Sequence, residues 1–462
     1  MLRSLLLAFV LLAPSLKAQN VDTKPVSTQQ ILDRLDALEK QNQEIVNEIR
    51  LLREQLTAEA PATENSSAIP VRDELKAGKI TTGNATINER LTIQENRTAE
   101  QAQTKIEAAH KFPVQLTGML LFNVFANSAT PSGEDPNEYA LLTGPNRDGA
   151  TLRQTLLGFQ FQGPSLPGNG RVNGYLMMDF WGGSSIPGAS WLRLRRAGIS
   201  LDWKNRSVFV GQDKPLISPY QPDSLAEVGI PPLAGAGNLW YWLPQIRYEE
   251  RLNLGANTRL TGQLSAIQTK EAYGYAGTAS AYSFEQARPG VEGRLAFSHN
   301  FDDTRRFEVA PGFHFSTSHV AGYSIGSHIA SVDFLVVPAR YLQLSGTAFR
   351  GQNVAGLGSL GNSFVFSYSG LHPVTSSGGW VQFAVPMTPR LTWDLFTGLE
   401  DDANNDLPAA SIVRNWSYAT NLMYHLGPNL IIGLEALQLR TRTISGVPGL
   451  HNHYDLAVAY LF

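Results

Sequence analysis

The last ten residues, His453 to Phe462, alternate without a break. Tyr454, Leu456, Val458, Tyr460 and Phe462 fall on one side, and Asp455, Ala457 and Ala459 on the other. Side chains repeat with period two along a strand, so the five large apolar residues share a face. A terminal amphipathic strand of this kind predicts the closing strand of an outer-membrane β-barrel, with one face to lipid and one to a hydrated lumen. We read the same five residues as the signal that barrel-assembly machinery takes up. The rhythm recurs upstream: Trp416, Tyr418, Thr420, Leu422, Tyr424 and Leu426 alternate with Asn415, Ser417, Ala419, Asn421, Met423 and His425. Leu391, Trp393, Leu395 and Leu399 likewise oppose Asp394.

From Pro113 onward such segments, about 9–13 residues long, are separated by two kinds of connection. Short ones lie at 165–170, 204–206, 253–255, 300–304, 338–340, 386–390 and 427–429; long ones centre on 127–150, 182–190, 214–242, 269–287, 317–326, 351–377, 400–412 and 441–450. Seven turns and eight loops predict an all-β membrane barrel of about 16 antiparallel strands over residues 112–462.

The N-terminal quarter follows a different period. Ile31, Leu35, Leu38, Asn42, Ile45, Ile49, Leu52 and Leu56 step alternately by four and three, an unbroken heptad seam that predicts an α-helical coiled coil over 27–57. Charged residues fill the positions between, and Asn42 in the core sets register and oligomer number at a cost in stability. A lone amphipathic helix against the barrel is the simpler alternative, but four heptads favour self-association. Residues 58–111 read as a linker and periplasmic segment. Residues 1–18 read as a signal peptide, with Arg3 before an apolar run that Pro14 ends and cleavage expected after Ala18.

Composition narrows the class. Hydrophobic residues make up 43% of the chain, yet mean hydropathy is −0.15 and no internal run approaches the ~20 apolar residues of a spanning helix. A membrane protein of that profile spans with strands that are only half apolar. A net charge of −3 argues against nucleic acid as a partner, and the absence of cysteine excludes disulfides, thiolate catalysis and thiolate-bound metal. Asp402 to Asp406 echoes a calcium loop but lacks its glycine and bidentate glutamate, so no metal or other cofactor is expected.

Two features point to a filter. The third long loop, from Lys214 to about Trp242, carries Pro215, Pro219, Pro222, Pro231 and Pro232 and the apolar run Val228 to Leu233. A loop this apolar is expected to fold into the lumen and narrow it, or to pack against a neighbouring subunit. Beside it, Arg193 and Arg195 alternate with Leu192 and Leu194, and Gln245 and Arg247 with Ile246 and Tyr248. An arginine facing mid-membrane lipid costs about 2–4 kcal/mol, so these should point inward, as should Arg259 and Arg294. Asp223 and Glu227 on the loop are placed to face them. Glu249, Glu292, Asp394 and Glu435 also read as inward, so a mixed-charge wall without net preference is the alternative to an anion filter.

These features, with the strings Leu157-Gly158-Phe159, Gly174 to Phe180, Leu192 to Ala197, Val210-Gly211-Gln212 and Pro244 to Tyr248, resemble the DcaP-like trimeric porins of Gram-negative outer membranes. The resemblance implies a homotrimer with a periplasmic coiled coil and passive diffusion of small hydrophilic, often anionic, solutes. It maps an arginine-lined constriction onto Arg193, Arg195 and Arg247. Related porins often place an inward arginine before the Leu-Gly-Phe string, where this chain has Leu156. An enzyme is not expected, because no nucleophile motif accompanies His314, His319, His328, His425, His451 or His453. A trimeric adhesin or envelope tether, with the barrel as its outer-membrane anchor, is the structural alternative.

Overall fold

The computed structural model describes residues 114–462 except 129–137, 141–143, 184–189, 270–283, 287–288, 321–322 and 368–369. The expected signal segment, coiled coil and linker lie outside the described residues. One antiparallel sheet dominates. Its strands, in chain order, are β1 (Val114–Asn127), β2 (Arg147–Thr151 and Leu156–Leu166), β3 (Gly170–Gly182), β4 (Trp191–Asp202), β5 (Arg206–Asp213), β6 (Leu243–Asn253), β7 (Thr258–Ile267) and β8 (Phe284–Gln286 and Gly290–Asn300). They continue as β9 (Arg306–Val320), β10 (Tyr323–Ala339), β11 (Leu342–Gln352), β12 (Thr375–Pro386), β13 (Leu391–Asp402), β14 (Ile412–His425), β15 (Leu430–Thr443) and β16 (Pro448–Leu461). The sheet holds eighteen hydrogen-bonded segments because β2 and β8 are each interrupted once.

Each strand pairs with the next, and β1 pairs with β16 from Met119↔Leu461 to Asn127↔His453, so the sheet closes as a 16-strand barrel. Closure removes every free edge, which hydrocarbon would not tolerate. The two faces then sort by the pleat. On β1, Leu120, Phe122 and Val124 are exposed while Leu121, Asn123 and Asn127 are buried. On β16, Tyr454, Leu456, Val458, Tyr460 and Phe462 all lie on the exposed face, as their spacing predicts. The outer face is a belt of large apolar residues, and the inner one carries Asn123, Asp179, Glu292, Asp333, Asp394 and Glu435.

Short and long connections alternate from one barrel end to the other, and all seven expected turns are present. Two expected long loops are not. Residues 317–320 and 323–326 stay in the ladder, with β9 and β10 paired out to Val320↔Tyr323. At 441–450 the pairing of β15 and β16 reaches Arg442↔Pro448. Ser318, which falls within the expected loop, is buried on the inner face like Ser327 and Ser331, where small polar side chains belong. The connection between β11 and β12 carries a short hairpin of its own, Phe364–Ser367 with Gly370–Pro373.

The seam depends on one glycine. Gly118 and Phe462 exchange backbone hydrogen bonds of 2.9 and 3.2 Å. A Cβ at position 118 would sit 2.5 Å from the Leu156 carbonyl oxygen and 2.6 Å from the Phe462 ring. Gly118→Val should therefore impair closure. In a refolding assay read by heat-modifiable electrophoretic mobility, the folded band should fall severalfold, and a wild-type yield would show that the seam tolerates a side chain there.

Candidate functional site: the lumenal constriction

The third long connection, residues 214–242, leaves β5 and turns into the lumen. Pro231 to Trp240 are all buried. Five prolines bring no N–H, so the segment enters a confined space with fewer donors to satisfy. Its apolar residues complete two clusters against the wall. Leu233 and Ala236 pack with Trp380, Phe396, Ala419 and Leu437. Ile217 and Leu239 pack with Leu243, Ile267, Ile329 and Phe349, joined by Val354 and Leu357 from the β11–β12 connection. Contact with the wall is close enough that a Cβ on Gly398 of β13 would lie 2.2 Å from the Ala236 carbonyl oxygen.

Polar side chains of the wall hold the loop by its backbone. Asn123 donates to the Leu225 carbonyl at 2.9 Å, Gln154 to that of Ala226 at 2.7 Å, and Asn415 to that of Gly235 at 2.9 Å. Gln154 Oε1 also accepts from the Val228 and Gly229 N–H groups, at 2.6 and 2.7 Å. At the loop's start, Glu292 accepts the Leu216 N–H at 2.7 Å. The anchors come from β1, β8 and β14 and from the break in β2, so the loop crosses the lumen and is tied on several sides.

The arginines that alternation predicted to be inward are inward. Arg193 grips Asp179 of β3 with Nε–Oδ1 3.0 Å and Nη2–Oδ2 2.6 Å, and Arg195 Nη1 reaches the same Oδ2 at 3.1 Å. Both also donate to the loop: Arg193 to the Gly229 carbonyl at 2.5 Å and Arg195 to that of Val228 at 2.6 Å. Both guanidinium groups lie over the Trp242 ring, 5.2 and 4.4 Å from its centre. Arg247 lies 3.6 Å from Asp213 and over the Phe209 ring. Exposure separates their roles: Arg193 and Arg247 keep 26% and 24% of their side-chain surface, Arg195 only 6%. Arg195 is a clamp on the loop, while the other two reach lumenal water.

Simple alternation missed part of the cluster. The register of β3 and β4 slips between Met177↔Arg196 and Met178↔Leu194, so Arg195 is an extra residue and Arg196 also turns inward. Arg196 Nε donates to Asp213 Oδ1 at 2.5 Å. Four guanidinium groups thus share two carboxylates, Asp179 and Asp213. Lys214 joins them; burial and the neighbouring Arg196 push its ammonium down to about 7, against the opposing pull of Asp213. Arg153, in the break of β2, adds a buried guanidinium over Trp181 near the position where Leu156 stands for the expected arginine.

Asp223 and Glu227 are not brought to the arginines. The Asp223 carboxylate accepts from Gln382 of β12 at 3.1 Å. Glu227 is buried on the side of Glu435 and Asp455, and burial with those like charges drives its carboxyl well above the usual range. The loop's path puts its acids against β12, β15 and β16 and its carbonyls against β4. Among the other residues expected inward, Arg294 is neutralised by Asp333 and Glu308, both at 2.6 Å, and Arg259 lies exposed at the end with short turns.

One histidine differs from expectation. His314 does have a hydroxyl beside it: Nε2 lies 3.0 Å from Ser316 Oγ and Nδ1 3.0 Å from Glu292 Oε1. Both His314 and Glu292 are wholly buried, and the second Glu292 oxygen holds the loop. The geometry makes the set an anchor beneath Leu216.

No protein-family model matches the chain, and no curated protein is similar in sequence. Solved structures are similar in fold. The outer-membrane channel DcaP of Acinetobacter baumannii superposes with a TM-score of 0.64 at 17% identity, covering 76% of this chain and 97% of that one. An anion-selective porin from Comamonas acidovorans gives 0.51 at 13% identity, over 76% and 99%.

The loop's seat and charge set two expectations. Gly398→Val should lift the loop at Ala236 and raise ion conductance through the lumen in a planar bilayer by tens of per cent or more; unchanged conductance would mean that the loop does not limit flow. Lowering pH from 8 to 6 protonates Lys214 as it passes about 7, adding positive charge at the constriction. Reversal potential under a salt gradient should then move toward anions, and Lys214→Met should reduce that movement.

Proposed function

We propose that this chain is an outer-membrane porin through which small hydrophilic solutes diffuse down their gradients, with a mild anion preference. The observation that carries the reading is the loop of residues 214–242, held inside the barrel by Arg193 and Arg195, beside an excess of guanidinium groups over carboxylates. A folded-in loop limits size, and a basic wall draws anions and pairs carboxylates or phosphates through two N–H groups. The apolar outer belt suits lipid, the long connections suit the cell exterior and the short turns the periplasm. Diffusion needs no cofactor and no covalent step, and the reading is non-enzymatic.

The working form we propose is a homotrimer. Its support is the heptad seam of Leu35, Leu38, Asn42, Ile45, Ile49 and Leu52, whose apolar edge self-association would bury. Residues 27–57 would then stand in the periplasm.

Planar-bilayer recording of the purified protein under a salt gradient tests the proposal. Stepwise openings are expected, with a reversal potential on the anion side. Neutralising Arg193, Arg195 and Arg247 together should shift that potential toward cations by ten millivolts or more. A folded, heat-modifiable barrel without conductance would refute the porin reading, and an unchanged potential in the triple variant would refute the arginine filter alone.

A further inference from the structure

The outer face of β13–β16 carries a basic patch at the long-loop end. Cross-strand register sets its rows. Leu399, Trp416, Arg440 and Leu450 stand side by side, and the next row outward is Asp401, Arg414, Arg442 and Pro448. Beneath them come Thr397, Tyr418, Gln438 and Asn452, and then the apolar belt begins with Leu395 and Tyr454. Arg414, Arg440 and Arg442 are all exposed.

Position tells what these groups meet. Ten residues of β16 separate Tyr460, one pleat above the exposed Phe462, from Leu450 beside Arg440. At ~3.3 Å per residue and ~40° tilt that is about 25 Å, the height of a barrel's apolar band. The arginines therefore sit at the outer rim of the belt and point away from the lumen, where no permeating solute passes.

The patch is charged beyond its own needs. Arg414 and Arg442 are direct cross-strand partners, an arrangement in which like charges repel. Asp401 answers one of them, at 2.6 Å from Arg414. Arg442 has no side-chain partner among the described residues. Arg440 is held ready: Nε and Nη2 donate to Gln438 Oε1 at 2.9 and 2.7 Å, Nη2 reaches the Tyr418 hydroxyl at 3.2 Å, and the guanidinium stands 5.6 Å from the Trp416 ring centre. Three arginines thus stand with one aspartate, beside Trp and Tyr at the belt's edge, and leave an excess of positive charge.

We propose that Arg440, Arg442 and Arg414 bind the phosphate of a glycolipid in the outer leaflet, with Trp416 and Leu450 against its acyl chains. Guanidinium pairs phosphate two-pronged, and two adjacent arginines hold one phosphate better than either alone. The inference rests on the outer-membrane placement proposed above, but on none of the lumenal residues.

The test is native mass spectrometry of the full-length purified protein, released from detergent after incubation with lipid A or with lipid A stripped of both phosphates. Lipid A should be retained, and the stripped form lost at least tenfold more readily. Arg440→Gln/Arg442→Gln should lower lipid A retention about tenfold, whereas Arg259→Gln, at the opposite end, should leave it unchanged. Equal retention of the two lipids, or no effect of the double variant, overturns the proposal. So does displacement of lipid A by millimolar inorganic phosphate, which would make the patch a free-anion site. A double variant that loses its oligomeric state while keeping its lipid would assign the patch to a second copy, which also overturns it. Bilayer conductance of the double variant should stay at the wild-type level, so failure of this inference and failure of the porin reading are separable.

Discussion

Everything in this barrel depends on hydrogen bonds across one seam. A sheet edge in hydrocarbon leaves a row of N–H and C=O groups unpaired, at several kcal/mol each. β1 prevents this by serving two neighbours at once. It pairs β16 from Met119 to Asn127 and the two pieces of β2 along its other side. Once the ladder closes, inside and outside are defined, and the pleat assigns alternate residues to each. Acids and arginines that would be intolerable outside become an asset within, because the closed wall gives them water and one another.

The inner wall uses that permission to hold a loop. A long apolar connection would ordinarily expose surface better hidden, and here wall donors and acceptors tie it in by its backbone. The central tie is also an ion cluster: Asp179 carries Arg193 and Arg195, and each arginine passes a further hydrogen bond to a loop carbonyl. Stripping the carboxylate from such a buried cluster would leave two guanidinium groups uncompensated, a loss of about 3–5 kcal/mol. The acids of the loop stand away from these arginines, against β12, β15 and β16, so charge is divided between two sides of the lumen.

The barrel was legible in the sequence wherever one strong signal acted locally. Period two marked β14 and β16, and the seven short turns stood where small and polar residues broke the rhythm. The loop's prolines and apolar run foretold its turn inward. What escaped depended on residues far apart in the chain. Ser318 resembles a loop residue until the ladder places it on the inner wall. Arg196 faces inward only because Arg195 is bulged, and a bulge shows in register, which needs both strands. Asp179 carried no signal of its own in the sequence, because its pairing with Arg193 waits on the alignment of β3 with β4. Asp223 and Glu227 were set opposite the arginines by proximity in sequence, and the path of the loop carries them elsewhere.

The double duty of Arg193 and Arg195 constrains how this lumen can vary. In a pore whose width and charge were set by different residues, each could drift under its own selection. Here the groups that give the wall its sign also hold the segment that gives it its bore. A replacement that alters which ions are favoured also loosens the aperture, and one that reseats the aperture strands the charge. Variants that retune solute preference should therefore appear as compensated sets spanning β3, β4 and the loop, not as isolated changes at a single arginine.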